Sequence, residues 1–312
     1  LGFLKNIINF RRFLKKQNPD IIQSWMYHSN FITIFFQNKY YNITYWNIRH
    51  SELNFHISKK TTILISIICG LFSKLIPNKI IYCSERSKNF HENKHFYSKK
   101  KSKLIDNGFS DKDYFFSENL RLNFRKNNKI NKAEIIIGYA GRYARQKNIK
   151  SLLSAFSKIS IIHNKIYFYM VGKDINYQNK ELVQIVQNLN IKDKVFFLNE
   201  QKSLLEFYNG IDLLILASHS ESFPNVIAES MLCKTPVLSS QSGCSEKIID
   251  KCGFTFINND NETIYRELIK VINVFLNNKE KWRNIKTNAR LRIQENFSIL
   301  KMSKSYLENW IF

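Results

Sequence analysis

From residue 135 to residue 257 the chain repeats one pattern, a short and almost wholly apolar run followed by a stretch with helical spacing. The apolar runs fall at 135–140, 166–171, 194–198, 212–217, 235–239 and 253–257, with helical patterns between most of them. Parallel strands buried on both faces read as continuous apolar runs, and each needs a crossover long enough to hold a helix. The alternation therefore predicts a parallel sheet covered on both faces, an α/β architecture. Residues 262–276, 279–295 and 298–311 carry further helical patterns. A chain of 312 residues with 44% hydrophobic content can bury two cores, and roughly 150 residues per domain is the ordinary size.

The sharpest local signal is Glu221-Ser222-Phe223-Pro224-Asn225-Val226-Ile227-Ala228-Glu229, directly after the run 212–217. Glu221 falls in the loop above a strand's carboxyl end, and Glu229 about one turn into the next helix. Parallel sheets bind ligands at that edge, and the start of a helix offers free N–H groups to a phosphate. One carboxylate can meet a sugar and the other a ribose, with a diphosphate between them. The pattern reads as a nucleotide-sugar site.

Several further pieces bring a family into view. Gly141-Arg142-Tyr143-Ala144-Arg145-Gln146-Lys147-Asn148 follows the run 135–140, and Ser218 closes the run before Glu221. Upstream stand Pro19-Asp20-Ile21-Ile22-Gln23-Ser24-Trp25-Met26-Tyr27-His28, Ile80-Ile81-Tyr82-Cys83-Ser84 and Ile105-Asp106-Asn107-Gly108-Phe109. Together with the two glutamates these resemble the retaining glycosyltransferases of family GT4. The resemblance covers nearly the whole chain and is strongest from 135 to 257. It implies the GT-B fold, two Rossmann-like domains whose parallel sheets face across a cleft. The expected domains are 1–125 on the acceptor side and 126–297 for the nucleotide-sugar, with a helix at 298–312 crossing back to the first. In the resembled family a strand and a Gly-rich loop precede the position of Leu1, so the resemblance implies that the first domain here is incomplete.

The resemblance also assigns roles. Breaking a sugar–phosphate bond leaves negative charge on a nucleoside diphosphate, which fixed cations and helix-start N–H groups can neutralise. Arg142 offers a planar fork to phosphate oxygens and Lys147 a point charge, while Gly141 lets the backbone approach closely. Backbone N–H groups around Phe223, Asn225 and Val226 would complete the anion site, with Ser218 at its border and Pro224 fixing the turn. Glu229 would accept from the ribose hydroxyls, and Glu221 would lie beside the transferred sugar. His28, on an exposed loop, would contact the sugar or position the acceptor. His219 could also face the sugar, and Arg49-His50 give a weaker acceptor-side signal. Against these roles stands the bland reading of solvated cations and a helix-start glutamate. Asn199 stands where the family often has Gly, and Gly243-Cys244 replaces a common Gly-Gly. The first could shift the base contact and the second narrow the sugar pocket.

Composition adds bounds. The balance of 48 Lys+Arg against 25 Asp+Glu gives a formal charge of +23. Nucleic-acid binding needs a reading module, and the sequence has none. Spread positive charge suits an anionic membrane face or phosphorylated substrates. It also suits a coding bias, since Lys, Asn and Ile are all abundant. The five cysteines are scattered without a CxxC pair, so neither a disulfide framework nor a zinc site is expected. Asp111-Lys112-Asp113 has the DxD form but sits in a polar turn, and no metal is expected. Residues 1–17 read as a surface helix packed on a sheet, with a basic amphipathic membrane contact as the sharper alternative, 63–76 as a buried helix too short to span a bilayer, and 121–134 as an interdomain linker. The first sixteen residues alternate apolar and basic without an apolar core, so no signal peptide is expected among them.

The activity expected is sugar transfer from a nucleoside-diphosphate sugar, preferably a UDP-sugar, to a glycan or polyprenyl-linked acceptor in cell-surface polysaccharide synthesis. No further cofactor is expected. A cytoplasmic setting, with contact to an anionic membrane, completes that reading. Two alternatives stay open. A non-hydrolysing sugar-nucleotide epimerase would need a carboxylate–histidine set that the sequence does not assemble. A silent nucleotide-sugar binder of the same fold would keep the site without turnover.

Overall fold

The computed structural model describes residues 2–36, 43–53 and 58–310. Leu1, where the first helical pattern was expected to open, and Ile311, expected to close the last, lie outside the described residues. By its contacts the chain divides into Leu1–Asp106 with Ser303–Phe312, and Asn107–Met302.

The first unit holds α1 (Gly2–Gln17), β1 (Ile21–Trp25), α2 (Met26–Ile34), β2 (Ile43–Ile48), α3 (Lys60–Phe72), β3 (Lys79–Tyr82), α4 (Glu85–Lys94) and β4 (Ser102–Leu104). Its strands form a parallel sheet in the order β1-β2-β3-β4, with Ile21 opposite Ile43 and Trp46 opposite Ile80. Trp46, Ile48, Ile80 and Tyr82 make the core with Ile63 and Cys69 of α3. On α1, Leu14 packs against Phe36, while Lys15, Lys16 and Phe13 stay exposed.

The segment expected as a buried helix at 63–76 is α3, and it is buried on one side only. The helix ends at Phe72, short of the expected residue 76; Ile63, Ser66, Cys69 and Gly70 face inward, whereas Leu64 and Leu71 are exposed. A helix laid on a sheet meets it along one stripe, so continuous hydrophobicity does not by itself bury the whole circumference. Gly70 has a packing reason: a Cβ there would stand 1.6 Å from the His95 carbonyl oxygen.

The second unit holds α5 (Glu118–Asn127), β5 (Ile135–Ala140), α6 (Ile149–Ile162), β6 (Ile166–Val171), α7 (Lys180–Asn188), β7 (Val195–Phe197), α8 (Leu205–Gly210), β8 (Leu213–Leu216), α9 (Asn225–Leu232), β9 (Val237–Ser240), α10 (Ser245–Ile249), β10 (Phe254–Phe256), α11 (Asn261–Asn277) and α12 (Lys279–Asn296). The last helix, α13 (Ile299–Trp310), begins in this unit and from Ser303 is counted with the first. There Tyr306 donates to Asn47 Oδ1 at 2.7 Å, and Trp310 Nε1 to Gln23 Oε1 at 2.9 Å. The six strands are parallel, in the order β10-β9-β8-β5-β6-β7. Every residue of β8 and β9 is buried, as the two-sided cover predicts.

Residues 121–134, expected as a linker, are instead part of the second unit, and the division falls after Asp106 rather than after residue 125. The reason is Asp212, a nearly buried carboxylate that needs compensation. Arg121 Nη2 lies 2.5 Å from its Oδ1 and Arg125 Nη1 3.3 Å from its Oδ2. Arg121 also donates to the carbonyls of Asn209 and Ile211, each at 3.1 Å. Residues that look solvated in the sequence therefore tie α5 to the start of β8.

Sharp turns are made largely without glycine. Asn18, Asn148, Asn190, Asn199, Asp174 and Asp250 all hold positive φ, the region that short polar side chains tolerate best after glycine. Among the described residues, no helix is long and apolar enough to cross a membrane.

Candidate functional site

In the second sheet β5 has β6 on one side and β8 on the other, so successive crossovers leave it in opposite directions. This is the switch point at which open parallel sheets hold ligands, beyond the carboxyl ends of the strands. The loops after β5 and β8 meet there, with His219 N–H donating to the Gln146 carbonyl at 2.8 Å.

Lys147 Nζ stands 2.5 Å from Glu221 Oε1, and Ser218 Oγ donates to the same oxygen at 2.7 Å. The two charged side chains are only 15% and 13% exposed, so the pair is partly withdrawn from solvent screening. Removing one member of such a pair costs more than the pair itself contributes, because the other charge is left without compensation. Ser218 is fully buried, and its carbonyl accepts from Ser240 Oγ at 2.8 Å and Asn259 Nδ2 at 3.1 Å. Asn148, at φ 53°, turns the chain into α6 and donates from Nδ2 to the Asn259 carbonyl at 2.7 Å. Loops from three strand ends are thereby joined around one carboxylate.

Arg142 is exposed, and its guanidinium makes no hydrogen bond or ion pair among the described residues, unlike Lys147. The Arg142 carbonyl accepts from the Tyr139 hydroxyl at 3.2 Å, which holds the loop over β5. A Cβ at Gly141 would stand 2.7 Å from that hydroxyl, and one at Gly172 would stand 2.1 Å from the Gly141 carbonyl oxygen. The backbone between β5 and β6 is therefore closely packed, which keeps Arg142 at the sheet edge.

Helix α9 opens at Asn225 after Pro224, and no side chain caps its first N–H groups. Those donors and the positive end of the helix dipole suit an anion. Phe223, buried, stacks on Phe109 at 6.1 Å and meets Phe297 edge-on at 5.9 Å, anchoring the turn. Asn225 is exposed and accepts at Oδ1 from Asn107 Nδ2 at 2.8 Å, while Val226 is half-buried. The loop below is set by Gly243, whose φ of 62° favours glycine. A Cβ at this position would lie 2.3 Å from the Glu221 carbonyl oxygen. Cys244, in the place expected for a second glycine, has φ −97° and needs none. Asn199, at a position where glycine was expected, takes φ 60°, in the left-handed region that favours glycine.

Glu229 is half-buried on α9, and its Oε2 accepts from the Tyr208 hydroxyl at 2.8 Å. Burial raises its carboxyl above the usual range, and the Tyr208 hydrogen bond opposes that rise. Neither this contact nor the Lys147–Glu221 pair was read from the sequence. Tyr208 lies in an apolar run and looks like core; the helical spacing that places Glu229 on α9 carries no signal for its partner.

The remaining candidates lie elsewhere. His28 is exposed in the first turn of α2 rather than on a loop, because Met26, at φ 68°, takes the chain from β1 straight into a helix. Arg49 lies over the Trp25 ring at 4.9 Å and donates to the Tyr306 hydroxyl, while the His50 carbonyl accepts from Ser87 Oγ at 2.6 Å. His219 is exposed beside Ser218. Asp111 and Asp113 are exposed, and Asp111 accepts from Gln294 at 3.1 Å. Among the described residues, no group of three or more His, Cys, Asp or Glu side chains is arranged to hold a metal ion.

Residues 121–292 match the family model described as glycosyl transferases group 1. The chain belongs to this family. The matched segment takes in most of α5 and the whole second sheet, and so every loop of the switch point. Similar proteins include the N-acetyl-alpha-D-glucosaminyl L-malate synthase of Bacillus anthracis, 26% identical over 200 residues, which are 64% of this chain and 50% of that protein. The O-antigen biosynthesis glycosyltransferase WclY of Escherichia coli is 23% identical over 74% of this chain and 61% of its own length. The chain thus spans half to three-fifths of these relatives. An alpha-1,3-N-acetylgalactosaminyltransferase of Campylobacter jejuni, named for N,N'-diacetylbacillosaminyl-diphospho-undecaprenol, is 26% identical over 97% of this chain and 81% of its own. In fold, the chain resembles the sucrose-phosphate synthase of Thermosynechococcus elongatus, with TM-score 0.83 and 17% identity over 98% of this chain and 76% of that one. HepE of Anabaena, solved with UDP-glucose, gives TM-score 0.82 and 19% identity over 96% and 81%. The α/β architecture with two parallel sheets is that of GT-B glycosyltransferases.

Proposed function

We propose that this chain transfers a sugar, with retention of configuration, from a nucleoside-diphosphate sugar to a glycan or polyprenyl-linked hydroxyl in surface-polysaccharide synthesis. The observation that carries the reading is the meeting of Lys147, Glu221 and the uncapped start of α9 at the switch point of the second sheet. In this reading Arg142, Lys147 and the N–H groups of Phe223, Asn225 and Val226 stabilise the diphosphate as it leaves. Glu221 holds a hydroxyl of the transferred sugar, and Glu229 accepts from the ribose. His28 contacts the sugar or positions the acceptor. The acceptor hydroxyl attacks on the face from which the diphosphate departs, with no covalent protein intermediate.

UDP is the proposed nucleotide, supported by the UDP and UDP-glucose bound to HepE, a neighbour in fold. The polyprenyl-linked acceptor is supported by the name of the Campylobacter relative. Contact with an anionic cytoplasmic membrane face is supported by α1, where Phe13 and Ile8 are exposed among Arg11, Arg12, Lys15 and Lys16. A screen of UDP- and GDP-sugars, with EDTA present, tests the proposal through calorimetry and nucleotide release. A UDP-sugar is expected to bind and turn over without added metal. Binding without release on any acceptor preparation would instead leave a silent nucleotide-sugar binder.

A further inference from the structure

Glu229 is held on one side only. Its Oε2 takes the Tyr208 hydroxyl, while no described residue donates to Oε1. Tyr208 is fully buried in α8. Its carbonyl accepts from Thr235 Oγ1 at 2.6 Å, and its ring meets Tyr114 edge-on at 6.0 Å. Phenylalanine would fill the same volume at this position without bringing a polar group into the core. A buried hydroxyl is unfavourable unless it is hydrogen-bonded, and Glu229 is the partner that this one has.

We infer that Tyr208 is a positioning residue for nucleotide binding, occupying Glu229 Oε2 so that Oε1 is presented to the ribose diol of a nucleoside diphosphate. The inference rests on the proposed reading of Glu229 as the ribose contact. An unrestrained glutamate samples several rotamers, and ordering one on binding weakens affinity. A carboxylate already fixed by a buried donor avoids that loss. It also keeps one oxygen satisfied where burial would otherwise leave both without a donor. The other ionisable groups around this carboxylate are Tyr114 from the loop before α5, Cys233 at the end of α9, and Arg290 of α12 beside Cys233.

Calorimetry with UDP and with 2′,3′-dideoxy-UDP, which lacks the diol, tests the assignment on the full chain. Tyr208→Phe should weaken UDP about tenfold, the size of one hydrogen bond to a charged group, and change dideoxy-UDP less than twofold. Its acid limb of UDP binding should move to higher pH, because the group that opposes the burial-driven rise in the Glu229 carboxyl is gone. Adding Tyr208→Phe to Glu229→Gln should have no further effect on UDP. Equal weakening of both nucleotides would mean a merely structural role and overturn the assignment, as would unchanged UDP affinity or an unmoved acid limb. If Tyr208→Phe does not fold, Glu229→Gln carries the test: it must weaken UDP and spare dideoxy-UDP, or the assignment fails. If the unaltered chain binds neither UDP nor GDP, the nucleotide reading falls first, and the role of Tyr208 with it.

Discussion

The two units treat buried polar groups in opposite ways. In the first, His91 of α4 is sealed in and kept neutral. Its Nδ1 donates to the Ser87 carbonyl at 2.7 Å, and its Nε2 accepts from the Tyr27 hydroxyl at 2.8 Å. Tyr82, His95 and Tyr97 pack around the ring. In the second unit the comparable investment lies at the sheet edge, where Lys147 and Glu221 form an ion pair that is partly accessible. Neutral networks of the first kind fix a core, whereas charged pairs held half out of water are available to a ligand. In the proposed reading, the contrast sets the diphosphate-facing charges of the second unit apart from the neutral core network around His91 in the first.

The strongest way to break that comparison is Lys147→Ala. Loss of a fixed cation facing developing negative charge is expected to lower kcat/KM by about 100- to 1,000-fold, on the order of 3–4 kcal/mol. Steady-state kinetics on the sugar found by the screen would measure it, and a loss below tenfold would move the diphosphate grip away from this side chain. Gly243→Ala comes next. The left-handed backbone costs about 1–2 kcal/mol for a residue with a Cβ, and the contact with the Glu221 carbonyl adds to it. A lower midpoint of thermal unfolding and reduced turnover should appear together; an unchanged midpoint would show that the Glu221 loop yields.

The mildest test sharpens the description of the first unit. Burial lowers the His91 pKa to about 3, against an unfolded value of about 6.5. The folded state binds fewer protons between these values, so the contribution of His91 is full above about pH 6.5 and is lost as pH falls toward 3. The slope is about 1.4 kcal/mol per pH unit for this group, and His95, also lowered by burial, acts in the same direction. Acid titration followed by tryptophan fluorescence reads this unit, which holds Trp25, Trp46 and Trp310 against Trp282 alone in the second. His91→Phe should flatten the acid slope, and an unaltered slope would place the acid sensitivity elsewhere.

The strands of the second unit were legible because parallel strands with two covered faces leave an unbroken apolar signature. The run 135–140 is β5 and 166–171 is β6 to the residue, and the other four lie within two residues of their strands at each end. The helices α11 and α12 were legible by periodicity. Long-range polar pairing was not. Arg121 and Arg125 read as solvated because nothing nearby shows that they compensate Asp212, 91 and 87 positions away. The Tyr208–Glu229 bond and the His91–Tyr27 bond span 21 and 64 positions, beyond any local pattern. At α3 hydropathy showed a helix but could not say how much of its circumference meets the sheet.

The asparagines with left-handed backbone bear on how composition is read. Only nine glycines serve 312 residues, yet corners at Asn148 and Asn199 are turned without them. Where coding bias favours an amide, scarcity of the smallest residue does not translate into a stiff or loosely looped polypeptide. Motif searches that insist on glycine at such corners would pass over members of this family that are built from the same geometry.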